Sequence, residues 1–144
     1  GDMSRVRELF LEYAGSLSFS HCFEGFDEEV SALPGVYAPP GGAIALAESA
    51  GRALGVVALR HLTDSVCEMK RLYVRPEARG ARIGRGLAEA IMTAARQAGY
   101  RTVRLNTHDM MSSAIALYRD LGFVEIQAGD NPRPGIRHFA RRLP

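Results

Sequence analysis

Hydrophobic residues recur along the chain with two different periods, and the places where the period changes divide it into elements. In residues 3–17, Val6, Leu9, Phe10, Tyr13, Ala14 and Leu17 fall on one helical stripe, with Asp2 or Ser4 available as a cap. Residues 26–33 predict a shorter second helix, preceded by Gly25 and ended by Leu33, Pro34 and Gly35. The period then shortens. Residues 43–48 (AIALAE) and 55–62 (GVVALRHL) are apolar runs of strand length, joined through residues 49–52, which hold Gly51. Thr63, Asp64 and Ser65 make the next turn, and residues 66–74 predict a third strand, so the three form an antiparallel meander.

The helical period returns after Arg75 and Pro76. Ile83, Leu87, Ile91, Ala94, Ala95 and Ala98 share one face of a long helix, and Gly99 stands where it should end. Residues 102–107 (TVRLNT) predict a strand parallel to the third, because a strand, helix and strand of this length return in the same direction. A last helix, capped by Ser112 or Ser113, buries Ala114, Leu117, Tyr118 and Leu121 and stops at Gly122. Residues 123–127 predict a strand, 129–135 (GDNPRPG) a loop, and 136–143 a closing antiparallel strand. The fold class is therefore α/β, a mixed central sheet with flanking helices, expected as one domain over residues 1–144.

Residues 67–86 (CEMKRLYVRPEARGARIGRG) pass from a strand through a sharp break into a glycine-punctuated helix entry. The first turn of a helix has amides without intrahelical partners and the positive end of the peptide dipoles, so an anion is its natural ligand. Gly80, Gly84 and Gly86 leave no Cβ between the main chain and such a ligand, and Arg79, Arg82 and Arg85 add charge around the same turn. A phosphate site is the expectation.

Charge and cysteine usage narrow the rest. A formal +2, from 18 basic against 16 acidic residues, gives little reason to expect a nucleic-acid partner. Lys70 is the only lysine, which leaves nearly all basic charge on arginine, the better side chain for forked contacts with phosphate and carboxylate. Cys22 and Cys67 fit no metal spacing, so neither a metal site nor a disulfide framework is expected. His21 beside Cys22 reads as a surface histidine, because adjacent side chains point apart. No apolar run approaches a membrane span and the N-terminus lacks a signal-peptide layout, so the expectation is a soluble cytoplasmic protein.

The order of elements, with three motifs, resembles the GCN5-related N-acetyltransferase (GNAT) family over most of the chain. Residues 72–87 (LYVRPEARGARIGRGL) look like the family's strand, loop and helix for acetyl-coenzyme A, and residues 114–123 (AIALYRDLGF) like its closing helix and strand. Residues 131–135 (NPRPG) are similar to a loop of small bacterial members. The resemblance implies the acyl-CoA N-acyltransferase fold, acetyl-CoA as co-substrate with no metal, and a small-molecule or peptide amine as acceptor. Its coenzyme site comprises Leu72, Tyr73 and Val74 along the pantetheine arm, and Arg79, Gly80, Ala81, Arg82, Ile83, Gly84, Arg85 and Gly86 around the pyrophosphate. Tyr118 matches the family's acid for the departing thiolate, and Glu68 a glutamate that some members use as general base.

Plainer readings stand beside these. Tyr118 also suits an apolar helix stripe, and Glu68 a surface pair with Lys70 or an arginine. Period-2 alternation puts Glu68, Lys70, Leu72 and Val74 on one face of the strand. His61, His108 and Asp109 rank below Glu68 as bases, and Arg133 and Arg137 are candidates for reading an acceptor carboxylate.

The chain also departs from the family pattern. Arg82 stands where the first glycine of the pyrophosphate turn is usual, a substitution that keeps the amides available if residue 82 is helical in φ and ψ. Met111 replaces a frequent asparagine, and Asn106 an acid found in other members. The family usually opens with a short strand for which this chain has no room before its first helix, either because the strand was lost or because the sequence was trimmed; the edge left unpaired is one that a second copy would cover, so a homodimer is among the expectations. Met111 and Asn106 motivate the rival reading, a non-catalytic acyl-CoA-binding or interaction module.

Overall fold

The computed structural model describes residues 2–16, 26–80, 82–127 and 134–144. Along the chain these form α1 (Asp2–Ser16), α2 (Phe26–Ser31), β1 (Ala43–Ser49), β2 (Arg52–His61), β3 (Val66–Val74), α3 (Ile83–Gln97), β4 (Thr102–His108), α4 (Ser112–Asp120), β5 (Val124–Ile126) and β6 (Ile136–Arg142). The strands make a six-stranded sheet in the order β1-β2-β3-β4-β6-β5. The expected meander is present, since β1, β2 and β3 pair antiparallel, and β3 pairs parallel to β4. The closing strand pairs antiparallel to β5 as expected, and it also pairs with β4, which places β6 between them.

Each face of the sheet has its own core. On one, Val6, Leu9 and Phe10 of α1 and Val30 of α2 pack with Val56, Ala58 and Tyr73. On the other, Leu87, Ala88, Ile91 and Ala95 of α3 and Ile115 and Tyr118 of α4 pack with Val57, Leu59, Val103, Leu105 and Phe139. The alternation of β2 follows directly, with successive side chains feeding opposite layers.

Local chemistry accounts for most boundaries. Ala50 (φ 52°) and Gly51 (φ 79°) form a two-residue turn whose positive dihedrals match the twist of a tight hairpin, so β2 starts at Arg52 rather than near Gly55. Gly55 has a different task. A Cβ there would lie 2.8 Å from the Tyr73 carbonyl oxygen and 2.9 Å from Leu87 Cδ1, so glycine lets β2 sit against both β3 and α3. Gly99 (φ 96°) follows the end of α3 and its amide bonds the Arg96 carbonyl at 3.0 Å.

Two expectations are corrected at helix starts and strand ends. Met111 is the N-cap of α4 and makes no side-chain cap bond, while Ser112 is already helical. β5 is three residues rather than five. The His21–Cys22 pair and most of the loop at 129–135 lie outside the described residues.

Candidate active site

The sheet opens where β3 and β4 part. Their pairing runs Val66↔Thr102, Cys67↔Val103 and Glu68↔Arg104 and goes no further, although β3 continues to Val74 and β4 to His108. Beyond Glu68, the main-chain groups that β3 turns toward β4 have no strand partner among the described residues. Such groups bond a ligand readily, because a buried amide or carbonyl left unpaired is costly.

A bulge shapes the same strand. Arg71 adopts a left-handed φ of 63° where the β2 ladder shifts register, and this extra residue reverses the alternation. The expectation that Glu68, Lys70, Leu72 and Val74 share a face is therefore wrong. Cys67 and Met69, then Leu72 and Val74, pack on the α3 side, while Tyr73 joins the α1 core. Lys70 lies opposite Ala58 and Glu68 opposite Arg60, on the α1 side. Tyr73 donates to Glu12 Oε1 at 3.4 Å and its ring tilts against Tyr13, 5.6 Å between centroids, so its side chain is turned from the α3 layer.

The bulge is fastened from outside. Arg71 donates from Nε and Nη2 to the two carboxylate oxygens of Glu29 on α2, at 2.8 and 2.9 Å. Burial works to raise the Glu29 carboxyl, but the Arg71 hydrogen bonds and charge outweigh it and hold the group below its usual range. At the end of β3, Arg75 is buried and bonds Glu12 (2.6 and 3.1 Å), Glu8 (2.8 Å) and the Ala53 carbonyl (3.0 Å). The sequence reading treated Arg75 only as a strand stop. Its proximity to Pro76 is the sole local signal, and its carboxylate partners Glu8 and Glu12 lie more than sixty residues away on α1.

Between β3 and α3 the chain makes a 3₁₀ turn at Pro76–Ala78, and Arg79 folds back so that Nε donates to the Val74 carbonyl at 3.1 Å. Gly80 has φ 94° with open space around its missing Cβ. Ala81 lies outside the described residues. Arg82 caps α3 with φ 62° and ψ 23°, a left-handed conformation, which corrects the expectation of helical dihedrals at this residue. The geometry explains why a glycine suits this position: only glycine adopts it without strain.

At the N-terminus of α3 the Arg82 side chain makes no cap bond, and the first bond into the helix among the described residues is from the Gly86 amide to the Arg82 carbonyl at 3.1 Å. A Cβ on Gly84 would lie 3.7 Å from both Val74 Cγ2 and Leu117 Cδ2, so the end of β3, the start of α3 and the middle of α4 converge on this glycine. Gly86 has nothing within 4 Å of the same position. Arg85 pairs with Asp120, tying α3 to the end of α4. Of the three arginines around this turn, Arg79 and Arg85 are thus engaged with the protein.

Tyr118 is buried beside the convergence, its ring 5.9 Å from that of Phe123 and 6.4 Å from that of Phe139. Burial pushes its hydroxyl well above the usual tyrosine range, so the group stays protonated. Glu68, at the last β3–β4 pair, is buried and accepts a hydrogen bond at 2.6 Å from Arg60 Nε on β2, the pair with an arginine of the plainer reading. Arg104, its register partner on β4, and Asn106 beyond the last pair share its face, because Val103 and Leu105 point into the opposite core.

The lower-ranked candidates are engaged elsewhere. His61 Nδ1 lies 3.0 Å from the Tyr100 hydroxyl, which donates to the Gly41 carbonyl, and His108 Nδ1 accepts the Met110 amide at 3.1 Å. Arg137 is held by Glu125 at 2.6 and 3.0 Å, and Arg133 lies outside the described residues. Cys67 is a poor nucleophile, its thiol pushed up to about 12 by burial. Sequence reasoning passed over His138, in register with Asn106, whose Nδ1 is buried without a hydrogen-bond partner among the described residues. Among those residues no group of His, Cys, Asp or Glu is placed to hold a metal, and no helix is long and apolar enough to cross a membrane.

A mixed sheet forked between parallel strands, with an uncapped helix N-terminus at the mouth of the fork, is the architecture of acyl-CoA N-acyltransferases. The chain belongs to the acetyltransferase (GNAT) family, whose sequence profile matches residues 4–123. An uncharacterized N-acetyltransferase of Schizosaccharomyces pombe is 34% identical over 138 residues, covering 94% of this chain and 85% of that protein. A GNAT acetyltransferase of Staphylococcus aureus superposes with a TM-score of 0.83 at 21% identity, over 99% of this chain and 94% of the other. The Salmonella typhimurium yncA structure with its cofactor acetyl-CoA superposes at 0.72 and 16% identity, over 99% and 89%.

Proposed function

We propose that this protein moves an acetyl group from acetyl-CoA to the amine of a small molecule or peptide, by direct attack and without a covalent enzyme intermediate. The observation that carries the reading is the fork itself: β3 loses its β4 partner after Glu68, and the open amides of α3 begin a few residues beyond Val74. In this reading the pantetheine arm lies along residues 72–74 and the pyrophosphate meets residues 80–86.

The chemistry follows from the groups at the fork. The free main-chain donors of β3 polarise the thioester carbonyl, and the neutral amine forms the new C–N bond as the C–S bond breaks. Tyr118, kept protonated by burial, gives its proton to the departing thiolate. Glu68 takes the proton lost by the amine, directly or through water, from the α1 side of β3. Donor and acceptor thus enter from opposite faces, an arrangement that the bulge at Arg71 supports by separating Leu72 and Val74 from Glu68. We take residues 1–144 as one catalytic domain acting in the cytoplasm. The non-catalytic alternative is not favoured, since the relative matched over most of its length is itself named an N-acetyltransferase.

The test is thiol release from acetyl-CoA with a broad amine panel, after calorimetry has shown coenzyme binding. Amine-dependent thiol release matched by acetylated product supports the reading. Tight coenzyme binding without turnover on any amine would instead favour the binding module.

A further inference from the structure

Among the described residues, the α1-side face of the fork holds more positive charge than its carboxylates neutralise. Arg60 is taken by Glu68 at 2.6 Å, and Arg71 by Glu29 at 2.8 and 2.9 Å, so Glu68 and Glu29 are both already committed. Lys70 stands between those two pairs on β3, half-buried, with no hydrogen bond or ion pair among the described residues. Arg104, facing Glu68 from β4, is likewise half-buried and unpaired among them.

A cation withdrawn from water without a counter-ion is unfavourable, and proteins keep such groups where a ligand completes them. Resting on the acetyl-transfer reading above, we propose that the acceptor is an amine bearing a carboxylate, and that Lys70, with Arg104 at the last paired position of β4, receives that carboxylate. One negative charge neutralises Lys70, and its place two residues from Glu68 on the same face sets the acceptor's acid next to the base that takes the amine proton. Burial, together with the Arg71 and Arg60 charges, holds the Lys70 ammonium below its ordinary range against the pull of Glu68 and Glu29, as expected of a cation lacking a partner.

Because Lys70 is the only lysine, protein grown with ε-¹³C-lysine has a single lysine resonance that reports this site directly. The probes are the N-acetyl derivatives of alanine, leucine, phenylalanine and 4-aminobutyrate, each beside its carboxamide, titrated in saturating coenzyme A. At least one acid should move the Lys70 titration midpoint up by about one pH unit, the response of an ammonium that gains an adjacent carboxylate, while its amide does not. In turnover, the matching free amino acid should exceed its amide in kcat/KM by about tenfold, chiefly in KM. Lys70→Met should erase that difference, and Lys70→Arg should restore part of it, with coenzyme affinity as the control for folding.

Equal response of the resonance to acids and amides, or turnover that ignores the carboxylate, would overturn the assignment. A clear preference for phosphoethanolamine over every carboxylate would overturn it as well, in favour of a phosphate. The resonance responds to acid binding whether or not acetyl moves. An acid-induced shift without turnover on any amine would therefore count against acetyl transfer and not against Lys70.

Discussion

Arg71 holds Glu29 by two parallel hydrogen bonds, 2.8 and 2.9 Å, from a backbone that stands in the left-handed region at φ 63°. The pair joins α2 to the bulge in β3, so a contact forty-two residues apart in sequence accompanies the change in which side chains of β3 face the α3 layer and which the α1 layer. The side chains of Arg71 and Glu29 are only 7% and 16% exposed, and removal of one charge leaves the other without compensation. Glu29→Gln should cost about 3 kcal/mol in chemical denaturation. Because the folded Glu29 pKa is lowered, its contribution is present above the unfolded carboxyl value of about 4.3 and is lost as pH falls through the folded one. The variant should show a flatter acid limb of stability than the parent below about pH 4.5; identical limbs would remove the pair from that role.

Two glycines should separate folding from binding. Gly55→Ala drives a methyl to 2.8 Å from the Tyr73 carbonyl and should destabilise the protein by about 2 kcal/mol in thermal unfolding. A Cβ at Gly84 meets only ordinary contacts at 3.7 Å, so Gly84→Asp should fold with a Tm close to that of the parent. Its carboxylate would stand at the open amides of α3, and coenzyme affinity measured by calorimetry should fall by about 100-fold. Unchanged affinity would show that the pyrophosphate lies elsewhere.

Arg82 trades stability for charge. In the left-handed conformation a non-glycine residue carries about 1 kcal/mol of strain, partly offset by the greater entropy that glycine loses on folding. Arg82→Gly should raise Tm slightly and weaken coenzyme binding severalfold, with a smaller dependence of affinity on salt. A gain in stability with no loss of affinity would mean that the guanidinium does not meet phosphate.

Tyr118 and Glu68 should fail in different measurements. Tyr118→Phe should lower kcat by about 100-fold while leaving the coenzyme dissociation constant nearly unchanged, because only the proton is removed. With its hydroxyl held up by burial, Tyr118 should add no alkaline limb to the rate below about pH 10. Glu68→Gln keeps the Arg60 contact sterically and should lower kcat/KM for the amine at neutral pH, with recovery as pH rises and more of the amine is neutral. Undiminished rates in either variant would take that residue out of the mechanism.

How much of the site could be read in advance is seen by comparing Gly84 with Lys70. Gly84 was legible because its role is local: the change from strand to helix period, the break at Pro76 and the glycine spacing all lie within one stretch, 67–86. Lys70 was not. Its significance depends on Arg60 and Arg71 having consumed Glu68 and Glu29, and those pairings join residues from different strands and from α2. Leu72 and Val74 were assigned the wrong companions on their strand, since a bulge one residue long at Arg71 reverses alternation without leaving a mark in the hydrophobic pattern.

The sequence by itself determined the elements, their order, the mixed α/β class and the turn at which α3 offers its amides, because helix period, strand period and glycine or proline punctuation act over a few residues. Only the tertiary structure decided the fork between β3 and β4, the insertion of β6 beside β4, the left-handed dihedrals of Arg82 and the place of Lys70 between the Arg60–Glu68 and Arg71–Glu29 pairs. These depend on register and on hydrogen bonds between residues distant in the chain, whose free energy no local pattern records.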